Sequence, residues 1–258
     1  MTSTMEHKPA LLSRVKRVLP AAALTAVWAA AAYALRNPLL LPSPVRVVAE
    51  MLVLLKSGAF WTALSGTFCR ILLGFFPALI SASLLSGAAH RWKWVEYLLS
   101  PCVYLMKAVP VASYIVAALL WLSSRRVSSF IAFLMAFPLL YTNLLQSLAS
   151  PDREFEEVAA VFRLSPLRRW RYIVLPSVRD GLLSGTRAGL GLCWKAGIAA
   201  EVLCFAPRSV GGAIYSAKVS LETAQLFAWT LLAVCFSAIF EALFLLAEEK
   251  ALCALEGR

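Results

Sequence analysis

Four stretches of this chain, Val18–Leu35, Ile71–Ala89, Val127–Leu148 and Thr223–Phe240, run for 18 to 22 residues without Asp, Glu, Lys or Arg. At 1.5 Å per residue, a helix of about 20 apolar residues covers the ~30 Å hydrocarbon core of a bilayer. Two further apolar segments, Tyr97–Ser124 and Gly181–Ala206, carry a few embedded charges and bring the expected spans to six. The composition agrees: 60% of residues are hydrophobic and 15% charged, against roughly 45–50% and about 25% in soluble domains. Lipid offers no partner for backbone N–H and C=O groups, so these spans must be helices. They are too long and too evenly apolar for the alternating strands of a membrane barrel. The expected fold is all-α and polytopic, with about six transmembrane helices. An N-terminal arm (1–17) precedes a transmembrane domain (18–250), and a short tail (251–258) follows it.

A net charge of +11 invites a nucleic-acid reading, but the placement of the charge argues against it. With the N-terminus inside, 14 of the 25 Lys and Arg residues fall in inside segments, seven outside and four within spans. This asymmetry follows the positive-inside rule and puts both termini in the cytoplasm, with Arg125 and Arg126 on the minority side. The start also resembles a cleaved signal peptide, with Lys8, Arg14, Lys16 and Arg17 ahead of the apolar run and Ala32-Tyr33-Ala34 near its end. That run exceeds a usual signal core, and an uncleaved first span fits better. Six dispersed cysteines form no C-x-x-C, and His7 and His90 lie far apart, so no metal site is expected.

After the first span, Leu41-Pro42-Ser43-Pro44 stops one helix and starts another, with Ser43 suited to the N-cap and Pro44 to the first position. Val47, Val48, Met51, Leu54 and Leu55 then repeat at helical spacing, which predicts a short external surface helix over 45–58. The longest inside segment, 151–176, predicts two short amphipathic helices. Phe155, Val158, Ala159 and Phe162 form the apolar stripe of the first; Leu167, Trp170 and Val174, interleaved with Arg168, Arg169 and Arg171, form that of the second. Periodicity leaves two readings open, a docking site for a partner or a pair of helices lying on acidic lipid headgroups.

This segment resembles the EAA motif of ABC importer permeases, E-A-A-x3-G-x9-I-x-L-P. Glu157, Ala159, Ile173, Leu175 and Pro176 occupy motif positions at the family spacing. Val158 replaces the first Ala, and Arg163 stands where the family has Gly. An Arg in the left-handed region costs about 1–2 kcal/mol, so either the turn has another geometry or Ser165-Pro166 supplies it. The resemblance extends from about Leu39 to Glu249 and is closest to permeases of the nitrate/sulfonate/taurine group. Its further elements are Leu41-Pro42-Ser43-Pro44, Arg70-Ile71-Leu72-Leu73-Gly74-Phe75, Lys107-Ala108-Val109-Pro110 with Leu119-Leu120-Trp121, and Gly189-Leu190-Gly191-Leu192-Cys193-Trp194 with Ala199-Ala200-Glu201. It implies a MetI-like type I importer permease in a prokaryotic inner membrane, working by alternating access. Its implied partners are a cytoplasmic ATPase that carries ATP and Mg, an extracytoplasmic binding protein and a second permease copy. The coupling residues it implies are Glu157, Ala159, Arg163, Ser165, Arg168, Arg169, Ile173, Leu175 and Pro176. No cofactor is expected on this chain.

Arg70, Lys107, Arg187, Lys195, Glu201 and Glu241 fall within or at the ends of expected spans. A charge at mid-bilayer costs at least ~2.5–3.5 kcal/mol unless paired or hydrated. For Arg70 and Arg187, near span ends, a structural role is expected, either a helix–helix salt bridge, for instance with Glu201 or Glu241, or snorkelling to an interface. Lys107 and Lys195 read either as a cationic lining for an anion or as partners of Glu201 or Glu241. Trp194 and Glu201 complete the candidate path. Gly185, Gly189 and Gly191 suit a dimer seam or core packing equally.

Two other classes are weighed against the permease. A secondary transporter or channel, working without an ATPase, would show an internal repeat, and none is evident. An intramembrane enzyme would need a motif such as H-E-x-x-H or G-x-S-x-G, and neither occurs. A P-loop is also absent, because no Gly-Lys pair exists in the chain, so ATP hydrolysis must reside elsewhere.

Overall fold

The computed structural model describes residues 10–149, 161–162, 165 and 175–256, and among these all regular structure is helical. Nine helices are described: α1 (Ala10–Leu35), α2 (Pro44–Lys56), α3 (Gly58–Arg91), α4 (Lys93–Ala108), α5 (Val111–Ala118), α6 (Ser124–Ala149), α7 (Leu175–Leu203), α8 (Val210–Val219) and α9 (Thr223–Glu256). Three of them, α3, α6 and α9, are long and apolar enough to cross a membrane. The apolar part of α1, Leu19–Leu35, is shorter. At 29 residues α7 is about 43 Å long, but it carries Arg179, Asp180, Arg187, Lys195 and Glu201 along that length.

The span expected over Tyr97–Ser124 is not one helix. The chain bends by 99° between α4 and α5. Pro110 is the cause: its ring pushes the preceding residue out of the helical region, and Val109 is extended at φ −77°, ψ 131°. The surface helix forms as expected at its start, where Ser43 Oγ accepts from the Arg46 N–H at 3.4 Å and Pro44 takes the first turn. Ser57 then both ends α2 and caps α3, its Oγ accepting from the Ala59 N–H at 3.3 Å.

The centre of the subunit is the antiparallel pair α6 and α7 with α3 laid across it. Small residues let the backbones approach. A side chain at Gly181 would run into Ser147, one at Gly185 would press on Asn143 and Leu140, and a Cβ on Gly189 would stand 3.6–3.7 Å from Phe75, Ala136 and Leu140. Gly185 and Gly189 therefore serve packing within the subunit. Where α3 crosses, a Cβ on Gly74 would run into the Ser129 carbonyl and stand 2.7 Å from Ala132 Cβ. Apolar clusters fill the rest. Phe75, Ala82, Phe137, Leu140 and Leu190 form the main core, and Val47, Phe60, Trp229 and Leu232 join α2 and α3 to α9. Ile115, Val127, Ile131 and Ala200 seat α5 on α6 and α7.

Gly74 and Gly87 are both in α3, and nothing lies within 4 Å of the Cβ position of Gly87. Gly74→Ala is expected to cost about 1–3 kcal/mol through overpacking, whereas Gly87→Ala should gain up to about 1 kcal/mol of helix propensity. Thermal unfolding of the detergent-purified variants checks this; equal midpoints would contradict the close approach at Gly74.

Candidate functional site

The most densely bonded polar group lies where α3, α7 and α8 meet. Glu201, two residues before the end of α7, has 0% exposure. Its Oε2 accepts from Thr67 Oγ1 at 2.8 Å and from the Gly211 N–H at 3.2 Å, and its Oε1 accepts from Arg70 Nη1 at 3.3 Å. Thr67 Oγ1 in turn accepts from the Val210 N–H at 2.9 Å. Thr67 and Arg70 are three residues apart on α3 and so share one face. Val210 and Gly211 open α8, so their N–H groups have no intrahelical partner, and the positive end of the α8 dipole faces the carboxylate. Four interactions thus compensate a charge that burial alone would penalise heavily.

Of the two structural roles expected for Arg70, the salt bridge is the one that forms, with Glu201. Its Nη2 donates to the carbonyls of Pro207 (3.2 Å) and Arg208 (3.0 Å), fastening the α7–α8 loop to α3. That loop needs fastening. Phe205 and Arg208 both have φ of 51°, and a left-handed non-glycine residue costs about 1–2 kcal/mol. Phe205 stands at the left-handed position of a helix-terminating turn, with the Ala206 N–H bonded to the Glu201 carbonyl at 3.1 Å, and its ring lies 4.2 Å from that of Tyr215. A side chain at Gly211 would run into Glu201 Cβ, so this position needs glycine for α8 to approach α7.

The expected path residues separate into two pairs. Trp194 and Glu201 are enclosed within the subunit, Trp194 between Phe68 and Phe240 with ring centroids 6.3 and 6.1 Å away. Lys107 and Lys195 are exposed on its surface. Lys107, beside the α4–α5 bend, donates to Thr142 Oγ1 at 3.2 Å. Neither lysine pairs with Glu201, whose cation is Arg70. Of the expected coupling residues, Glu157, Ala159, Arg163, Arg168, Arg169 and Ile173 lie outside the described residues. Ser165 is exposed, and Leu175 and Pro176 begin α7. Phe162, on the expected apolar stripe, is 73% exposed. Among the described residues, no group of His, Cys, Asp or Glu suits a metal ion.

Residues 71–251 match the model of the family described as "Binding-protein-dependent transport system inner membrane component". The chain belongs to that family. This permease is 27% identical over 206 residues to the taurine transport system permease protein TauC of Escherichia coli K12, covering 78% of this chain and 74% of the relative. It is also similar to the riboflavin transport system permease protein RibX of Chloroflexus aurantiacus, at 28% over 166 residues, 63% of this chain and 61% of the relative. A third relative is the nitrate import permease protein NrtB of Synechocystis, at 24% over 173 residues and 63% of each chain. The solved structure of an amino acid ABC transporter with histidines shares the fold, with a TM-score of 0.52 at 13% identity over 78% of this chain and 94% of that one. The permease is therefore an ABC-transporter membrane subunit of the MetI-like fold.

Arg70→Met strands the Glu201 carboxylate and is expected to cost about 3–5 kcal/mol, the usual penalty for breaking a buried pair. The double variant Arg70→Met, Glu201→Gln should be milder than Arg70→Met alone, because no uncompensated charge remains. Unfolding midpoints of the three proteins check this; an Arg70→Met midpoint equal to that of the unaltered protein would contradict the fastening.

Proposed function

We propose that two copies of this permease enclose the passage of an ATP-driven importer for a small anionic organic solute. The observation that carries the reading is the family match over residues 71–251. Members of a binding-protein-dependent system imply an extracytoplasmic binding protein and a separate ATPase. Two of the three relatives described above are named for taurine and nitrate, solutes that carry a sulfonate or are an anion. The riboflavin relative means that family membership alone does not set the charge of the solute. What supports an anion here is that Lys107 and Lys195 stand exposed on the subunit at positions within its expected spans. A cation in lipid is costly, so both belong beside water or solute.

In this reading the 151–176 segment docks on the ATPase, with Glu157, Ala159, Arg163, Ser165, Arg168, Arg169, Ile173, Leu175 and Pro176 at or beside the contact. Because α7 starts at Leu175, a displacement of the docking segment acts directly on the helix that carries Lys195 and ends at Glu201. ATP and Mg bind on the partner, and this chain contributes no catalytic group. Closure of the ATPase pair then switches the passage between its inward- and outward-facing forms. The termini lie in the cytoplasm.

The test is affinity purification of the tagged chain from its native host in mild detergent, with mass spectrometry of what accompanies it. A P-loop ATPase is expected, and it should be lost when Glu157 and the Arg168–Arg171 cluster are replaced. A homo-oligomer that transports with no ATPase would sink the importer reading and favour a secondary transporter.

A further inference from the structure

Two charges in the middle of the spans take no part in the interactions described above. Lys195 lies near the middle of the expected Gly181–Ala206 span on α7, and Glu241 lies close to the middle of the Thr223–Ala254 span on α9. Glu241 Oε2 stands 3.9 Å from the point where a Cβ on Gly191 would be. Gly191 is one helical turn below Lys195, about 40° away around the α7 axis and ~6 Å along it. Lys195 and Glu241 therefore border one strip of α7, which the exposed Arg187 borders one turn to the other side of Gly191, and the missing side chain of Gly191 leaves the carboxylate open to it. Lys195 is exposed and Glu241 half-buried, and among the described residues neither forms a hydrogen bond or an ion pair. Ala188 and Ala199, on the same face as Lys195, keep the strip shallow.

The exposed apolar residues Ile239, Leu243 and Leu246 project from α9 on the side away from Glu241 and suit acyl chains, and the exposed Val234 lies two turns from Glu241 on its own side. A facing lysine and glutamate in mid-membrane would be expelled from hydrocarbon, so the strip belongs beside water. Both charges also remain available, because the carboxylates of Glu201, Glu248 and Glu249 beside α7 are matched elsewhere, Glu201 by Arg70, Thr67 and Gly211, Glu248 by Thr186 and Glu249 by Arg179.

We propose that Lys195 and Glu241 form a two-charge site in the passage that takes a zwitterionic solute, Lys195 holding its anionic end and Glu241 its ammonium. This rests on the importer reading and narrows it from anions in general to amino-substituted anions. A purely anionic solute would use Lys195 and be repelled by the carboxylate beside it. An amino-anion turns that repulsion into a second charge-assisted hydrogen bond. Glu241 thereby acts in selection between solutes rather than in general conduction.

The experiment uses the complete complex, with the ATPase and binding protein that accompany it, reconstituted in lipid vesicles. ATP-dependent uptake of taurine and of ethanesulfonate, which lacks the amino group, is measured for the unaltered protein, Glu241→Gln and Lys195→Gln. Glu241→Gln is expected to lower taurine uptake about tenfold or more, the scale of one lost charge-assisted bond, while ethanesulfonate uptake stays level or rises. Lys195→Gln should lower both. A carboxylate needed only for folding or helix pairing would reduce both solutes together, and that result overturns the proposal, as does an unchanged taurine uptake in Glu241→Gln. An unaltered complex that retains its ATPase but does not carry taurine overturns it too, leaving the importer reading standing. Isolation without any ATPase, and no ATP-dependent uptake of either solute, removes the importer reading itself.

Discussion

A carboxylate with no exposure to solvent has to be matched on every side, and the match made by Glu201 joins α7 and α8 to α3, which is distant in sequence. Arg70 and Thr67 come from α3, and the Gly211 N–H comes from the first turn of α8. The same Arg70 holds the Pro207 and Arg208 carbonyls, so the loop between α7 and α8 cannot relax its two left-handed residues without breaking the ion pair. Replacing such a cluster with apolar residues is often neutral for stability, whereas breaking half of it is not. Its value here is positional: it sets where one end of α7 stands relative to α3 and α8.

The other constraint is the glycine seam between α6 and α7. Gly181, Gly185 and Gly189 remove the side chains that would hold the two helices apart, and Ser128 Oγ adds a bond to the Gly197 carbonyl at 3.2 Å. One face of α7 is thus pressed on α6 and one end is anchored by Glu201. The helix begins beside the segment expected to meet the ATPase and ends at the fastened loop. Lys195 stands on the face the seam leaves uncovered.

Much of this was readable in the residues because membrane burial writes long, uncharged runs. The helices over 71–89, 127–148 and 223–240 follow from that alone, and the Ser43-Pro44 start of α2 follows from capping chemistry. The bend after Ala108 was also signalled, since Pro110 restricts Val109, but the apolar length of 97–124 suggested a single span. A salt bridge to Glu201 was one of two structural roles open to Arg70, but the choice over snorkelling left no local trace, because the partners are separated by 131 residues and both lie near span ends. Trp194 and Lys195 are neighbours in sequence, yet 100° of helical rotation puts one in the core against Phe240 and the other on the surface. Without the location of α9, sequence alone cannot assign these two faces. The left-handed Phe205 and Arg208 are equally silent, since glycine is the usual sign of such turns.

The central claim is that the uncovered face of α7 meets water while the far face of α9 meets lipid. Cysteine labelling tests it most directly, in the assembled complex, in a variant whose six native cysteines have been replaced. A membrane-impermeant maleimide is applied to Ala188→Cys and Ala199→Cys on the Lys195 face of α7, and to Leu243→Cys, 61% exposed on the far side of α9. Labelling of the two α7 positions, with a rate that changes on adding ATP, and none at Leu243→Cys is the expected result. Inert cysteines at both α7 positions would place that face in lipid and contradict the passage drawn along it.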